Sequence, residues 1–172
     1  MSGRRRSAIF THGTRLRLTE TVRRLFGGNP RRVQAAALPW RVTADGNGIE
    51  ILLVTSRGTG RWVLPKGWPE GSETLAMAAQ REAREEAGVR GCASENEIGR
   101  FYYHKLDGTG VEWPCEVAVI PLEVTEERSK WPERKQRTRQ WFTPQDAATA
   151  VQEPDLGELL VQFAHNPREI AA

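Results

Sequence analysis

Between Gly67 and Val89 the chain reads GWPEGSETLAMAAQREAREEAGV, and this stretch restricts folding more tightly than any other. Its apolar spacing predicts a helix over 73–87, with Ser72 suited to the N-cap and Gly88 to the C′ position. On that helix Glu82, Glu85 and Glu86 stand at i, i+3 and i+4, so all three carboxylates share one face. Like charges at this spacing repel by roughly a few tenths of a kcal/mol per exposed pair, and by more when buried. A hard divalent cation is the natural compensation, because such ions take oxygen ligands. The glycine-rich approach to the helix lets backbone come close to an ion or a phosphate. Taken alone, the run also reads as a solvated acidic face with Arg81, Arg84 and Arg90 interleaved.

The flanking sequence predicts a sheet. VQAAALPW (33–40) is a buried strand, and IEILLVTS (49–56) is its hairpin partner across Asp45-Gly46-Asn47-Gly48. RWVLP is a short third strand stopped by Pro65. RFYYHKL and EWPCEVAVIPLEV are further strands joined by a turn at Asp107-Gly108. Glu126 to Lys135 is a charged loop, and RQWF is a last strand. Pro144 opens a helix at its tolerated first position, and a second helix over 155–165 buries Leu159, Leu160 and Phe163. The expected class is α+β, an α/β/α sandwich around a mixed sheet.

Charge divides the chain. Residues 1–32 carry nine arginines and one acid, Glu20, for +8, while residues 33–172 sum to −5. Leu18, Val22, Leu25 and Phe26 give the arm a short amphipathic helix, ended by Gly27-Gly28-Asn29-Pro30. The expected organisation is therefore a basic arm over 1–32 and one domain over 33–168. A basic arm suits a polyanion, including RNA. No apolar run reaches transmembrane length, and two cysteines, Cys92 and Cys115, suggest a reducing compartment. An arginine-rich start also resembles an organellar transit peptide. The helix leads into the domain without a processing-like linker, so the cytoplasm is the expected location.

The spacing of Gly67, Glu73, Arg81, Glu82, Ala83, Glu85, Glu86, Gly88 and Val89 resembles the signature box of the Nudix hydrolases. Small Ala83 occupies a position where that box has an apolar residue. The resemblance implies a Nudix-type sandwich and hydrolysis of a diphosphate linked to another moiety. It implies metal ligation by Glu82, Glu86 and the Gly67 carbonyl, with Glu85 as proton acceptor or further ligand. Glu73, Arg81 and Gly88 are then structural parts of the box. The implied cofactor is Mg²⁺, with Mn²⁺ as the alternative.

The layout is similar to the diphosphoinositol polyphosphate phosphohydrolase branch, through AAALPWR, EILLVTSR, RWVLPKGWPEGSET and WPERKQRTRQWFTPQDA. By position, Arg41, Ser56, Arg57, Lys66, Lys135 and Arg137 are the candidates for holding phosphates. That branch implies inositol pyrophosphates or long dinucleoside polyphosphates as substrates. Pro65-Lys66-Gly67-Trp68 instead looks like dinucleoside tetraphosphate hydrolases. RNA 5′-end pyrophosphohydrolysis and a non-catalytic nucleotide- or RNA-binding module also stay open, as do monomer and homodimer. Tyr102, Tyr103 and His104 lie on a strand expected near the site. Trp62 and Trp68 flank the box loop, Trp40, Trp113 and Trp141 are expected in the core, and both cysteines read as inert.

Overall fold

The structure, a computed structural model, describes residues 33–106 and 112–170. The expected arm over 1–32, its amphipathic helix and the turn at Asp107-Gly108 lie outside the described residues.

One mixed sheet organises the domain. Strand β1 (Val33–Val42) is its centre. It pairs antiparallel with β2 (Ile49–Thr55), and at its start with the two-residue β4 (Lys66–Gly67). Along its other edge it runs parallel to β7 (Glu112–Glu127), from Val33 opposite Glu116 to Trp40 opposite Glu123. The far end of β7 carries β5 (Val89–Ala93), and its near end carries β6 (Gly99–Leu106). Strand β2 also holds β3 (Trp62–Val63) and β8 (Arg139–Phe142). The hairpin, RFYYHKL and RQWF strands thus form as their patterns predict. Strands β4 and β5 go beyond those patterns, being too short or too polar to announce themselves.

Helices cover both faces. Helix α1 (Leu75–Glu82) continues into a π-helical turn (Ala83–Ala87) on one face. Helices α2 (Pro144–Ala150) and α3 (Pro154–His165) cover the other, followed by the short α4 (Pro167–Ile170). Alternation along β1 sorts its side chains between two cores. Ala35 and Ala37 face α1, while Ala36, Leu38 and Trp40 face α2 and α3. Among the described residues, no helix is long and apolar enough to cross a membrane.

The two cores differ in kind. On the α1 side, Ala78, Ala79, Ala83 and Ala87 meet Ala35 and Ala37, so the helix lies close on the sheet. Ala83 is fully buried there, and its small side chain is what that close approach requires. The other core is filled by large groups, with Trp40 and Phe163 in an edge-to-face contact at 5.7 Å. Trp113 departs from expectation: it is 56% exposed. It stands near the start of β7, on the stretch paired with β6, beyond the reach of both cores.

The N-cap is Thr74 rather than Ser72. Its hydroxyl accepts the Met77 amide at 3.2 Å, which delays the helix by two residues. Gly88 ends the π turn with φ +66°, as its expected position requires.

The contrast between the cores has a measurable consequence. Ala79→Leu is expected to destabilise the domain by about 1–3 kcal/mol through overpacking. Phe163→Ala is expected to cost about 3–5 kcal/mol through a cavity. Urea unfolding of each variant checks both values.

Candidate active site

Three separate segments bring charge to the C-terminal end of α1. The first is the loop before it. Glu73 lies ahead of the helix and its carboxylate takes the Arg81 Nε at 3.1 Å, while Arg81 Nη2 donates to the Trp68 carbonyl at 2.9 Å. One guanidinium therefore ties the loop to the helix. Those bonds hold the Arg81 pKa above its ordinary value, and the same pairing lowers that of Glu73. Arg81 Nη1 also reaches Glu82 at 2.7 Å and Glu85 at 3.6 Å.

The second segment is β4. Its pairing with Ala35 and Ala36 sets Lys66 and Gly67 beside the helix. A β-carbon on Gly67 would overlap the Glu82 carboxylate, so any larger residue there would displace that side chain. The Lys66 amide donates to Glu86 at 3.2 Å. Its ammonium lies 5.3 Å from the Tyr103 ring. Burial draws that ammonium down to about 8, opposed by Glu86 and Glu153.

The third segment is the loop that precedes β8. Arg137 pairs with both Glu86 and Glu133, and donates to the Thr55 carbonyl at 2.9 Å. Arg57 reaches the same Glu133 at 3.3 Å while remaining 60% exposed. Glu133 is a site residue that the sequence does not single out. Its position in a charged loop resembles any solvated acid, and only the fold carries it to the box.

Glu82 and Glu86 are nearly buried, at 8% and 7% exposure. Burial raises both carboxyl groups, Glu86 to about 7. Arg81 opposes the rise at Glu82, and Arg137 opposes it at Glu86. Glu85 is more open and pairs with Arg84 at 3.1 Å. As the side chains stand, no three acidic, histidine or cysteine groups among the described residues gather around one point close enough to hold an ion. Each of the three box carboxylates is turned toward an arginine instead. The donor chemistry nevertheless fits a hard divalent cation: two buried carboxylates and a third nearby, all oxygen, beside a backbone stripped of its β-carbon.

The remaining expected residues divide. Ser56 bonds Thr59 at 2.7 Å in the turn after β2, next to Arg57. Lys135 is exposed on the loop that carries Arg137. Arg41 is not brought to the box loop. It lies six residues along β1 from Ala35, roughly 20 Å away at strand spacing. There its guanidinium covers the Trp141 ring at 4.0 Å and pairs with Glu50 and Glu127. Of the three strand residues expected nearby, Tyr103 approaches Lys66 and donates to Gln34 at 2.7 Å. Tyr102 leans instead toward Glu116. Cys92 is exposed and Cys115 buried, and neither is in a disulfide.

The chain is similar to known proteins over most of its length. The sequence model of the NUDIX domain matches residues 31–163. Nudix hydrolase 16, mitochondrial, of Arabidopsis thaliana is 34% identical over 142 residues, covering 76% of this chain and 78% of the relative. Diphosphoinositol polyphosphate phosphohydrolase 3-beta of Bos taurus is 36% identical over 106 residues, 60% of each chain. The crystal structure of a C. elegans Ap4A hydrolase has the same fold, with a TM-score of 0.57 at 23% identity, covering 77% of this chain and 96% of that one.

Arg137 is the countercharge of a buried carboxylate, and its loss is expected to be severe. In protein stripped of metal by EDTA, Arg137→Ala should lower stability by about 3–5 kcal/mol, because Glu86 is left buried and unpaired. Arg57→Ala, at an exposed pair, should cost under about 1 kcal/mol. Parallel denaturant titrations compare the two.

Proposed function

This chain belongs to the Nudix hydrolase family and is a pyrophosphohydrolase by that membership, and we propose that it cleaves a diphosphate linkage in a phosphate-rich small molecule with the help of a divalent metal. The observation that carries the proposal is the pairing of buried Glu82 and Glu86 on one helix face, against Gly67, with Lys66, Arg57 and Arg137 around them.

Glu82, Glu86 and the Gly67 carbonyl would hold the metal, with Glu85 beside them as proton acceptor. Mg²⁺ is the proposed ion and Mn²⁺ the alternative. A bound divalent ion neutralises phosphoryl oxygens and acidifies water. The chain's own groups do the rest. Arg81 and Glu73 keep loop and helix in register. The backbone amide of Lys66 fixes one oxygen of Glu86. Arg57, held by one exposed contact, is placed to turn toward a phosphate, with Ser56 and Lys135 at the same rim. Positioning and charge neutralisation dominate such phosphoryl transfers.

Inositol pyrophosphates and long dinucleoside polyphosphates are the proposed substrates. The relationship to the bovine diphosphoinositol phosphohydrolase supports them. Dinucleoside tetraphosphate is the second reading, favoured by Pro65-Lys66-Gly67 and by the aromatic Tyr103 next to Lys66. The arm over 1–32 is proposed to attract polyanions to the domain over 33–168, RNA among them. The cytoplasm is the proposed compartment, and fractionation of the tagged full chain tests it against the mitochondrial address in a relative's name.

A substrate panel with product identification distinguishes these readings. Inositol pyrophosphate, Ap4A, Ap5A, Ap6A, ADP-ribose and 5′-triphosphate RNA should be compared with Mg²⁺, with Mn²⁺ and with EDTA. Turnover is expected only with metal, and fastest on inositol pyrophosphate or the longest dinucleotides. Tight binding without turnover of any of them would instead favour a binding module. Glu85→Gln is expected to lower kcat by about 100-fold or more. Parent-like turnover in that variant would remove Glu85 from the chemistry.

A further inference from the structure

The π-helical end of α1 creates an accounting problem for its backbone. The Gly88 amide closes on the Ala83 carbonyl, five residues back. The carbonyls of Arg84, Glu85, Glu86 and Ala87 lie beyond that last helical bond. A single distant segment, residues 128–139, supplies donors to those of Glu85, Glu86 and Ala87. The Glu133 amide donates to the Glu85 carbonyl at 3.1 Å. The Trp131 indole Nε1 donates to the Glu86 carbonyl at 3.2 Å. Arg139 Nη1 donates to the Ala87 carbonyl at 2.6 Å and to that of Gly88 at 3.3 Å. The Arg128 amide completes the set on the Gly88 carbonyl at 2.9 Å.

The packing agrees with the hydrogen bonds. The Trp131 ring lies so near Gly88 that a β-carbon there would stand 2.6 Å from it. The Arg139 guanidinium covers the ring at 4.2 Å. Gly88 is thus required twice, for its positive φ and for the indole against it.

We propose that residues 128–139 are a clamp on the π turn, and that Trp131 and Arg139 are positioning residues that set where Glu85 and Glu86 point. The proposal rests on the reading of those glutamates as metal-holding and proton-accepting groups. A π turn is rare and is found as a local feature at functional sites. Its last carbonyls, like those at any helix end, have no intrahelical donors, and here one distant segment bonds them. Without those bonds the turn is free to change its winding, which rotates Glu85 and Glu86 about the axis relative to Glu82. The same segment also carries Glu133 and Arg137 into the site, so one loop sets both the backbone and the countercharge of Glu86.

Trp131→Phe tests the clamp, since it keeps a ring on Gly88 and deletes the indole N–H. The variant is expected to fold, with KM for the best substrate within about twofold of the parent. The metal concentration for half-maximal activity should rise by about 10-fold to 100-fold, with kcat lowered by about 10-fold. Amide exchange at Gly88 should quicken by about 10-fold or more while that at Ala37, bonded to the Pro65 carbonyl, stays at the parent rate. Arg134→Ala loses only a ring contact at 5.9 Å and should match the parent in every readout. Parent-like metal activation and Gly88 exchange in Trp131→Phe would overturn the clamp. If Trp131→Phe does not fold, Arg139→Gln, which removes the guanidinium from the Ala87 carbonyl and leaves Gly88 only the Arg128 amide, carries the same measurements. A parent chain that turns over no diphosphate overturns the activity reading alone. Gly88 exchange, and Mn²⁺ binding by calorimetry, then still decide the clamp: unchanged values in the variant overturn it and changed values support it.

Discussion

Two carboxylates one helical turn apart, both nearly buried, cannot coexist without nearby positive charge, and the rest of the site follows from that constraint. The core beneath the helix is made of alanine and branched side chains, which offer Glu82 and Glu86 no countercharge. Their compensation is imported: Arg81 from the same helix, Arg137 from a loop fifty-one positions away in sequence, and an amide from β4. Removing either arginine would leave a charge in a poor solvent, so the loop that delivers Arg137 is tied to the helix by charge as well as by packing. A divalent ion held there would meet the same need.

Arginine is the more informative cation for this reason. The chain holds far more arginine than lysine, which on sequence alone is equally a compositional habit. In the structure the guanidinium is used for its several donors. Arg81 bonds Glu73, Glu82 and a carbonyl, Arg137 bonds Glu86, Glu133 and a carbonyl, and Arg139 bonds two carbonyls and lies over a ring. A lysine point charge cannot span these partners. The basic residues near the box are therefore largely structural, and a count of arginines overstates the surface open to phosphate.

The parts legible in the sequence are those with local causes. The β1–β2 hairpin follows from apolar runs around a turn, and the box from a spacing of glycine, arginine and glutamate that resembles the Nudix signature. The less legible parts depend on distant partners. Thr74 displaces Ser72 as N-cap because the Glu73 side chain is drawn back to Arg81 and to the Glu70 amide, and the helix starts only after it. The π turn has no signature of its own, because its donors are fifty residues downstream. Arg41 matches a pattern of position, but strand geometry carries it along β1 to Trp141. Trp113 looks like core by residue type and stands exposed, because burial belongs to the place and not to the side chain.

The charge map acquires its meaning from the same source. The segment over 33–172 sums to −5, but much of that charge is already locked in internal pairs, and two divalent ions at the box would bring it to about −1. Under the proposed function, a polyanionic substrate would then meet a nearly neutral domain with a few unlocked cations at one rim. Arg57 is the clearest of these: its one ion pair among the described residues, to Glu133, is long and exposed, so breaking it costs little. Arg137, saturated by three partners and buried, has no such freedom. Of two arginines that look equivalent in sequence, one is built to hold the enzyme together and the other to let go of it.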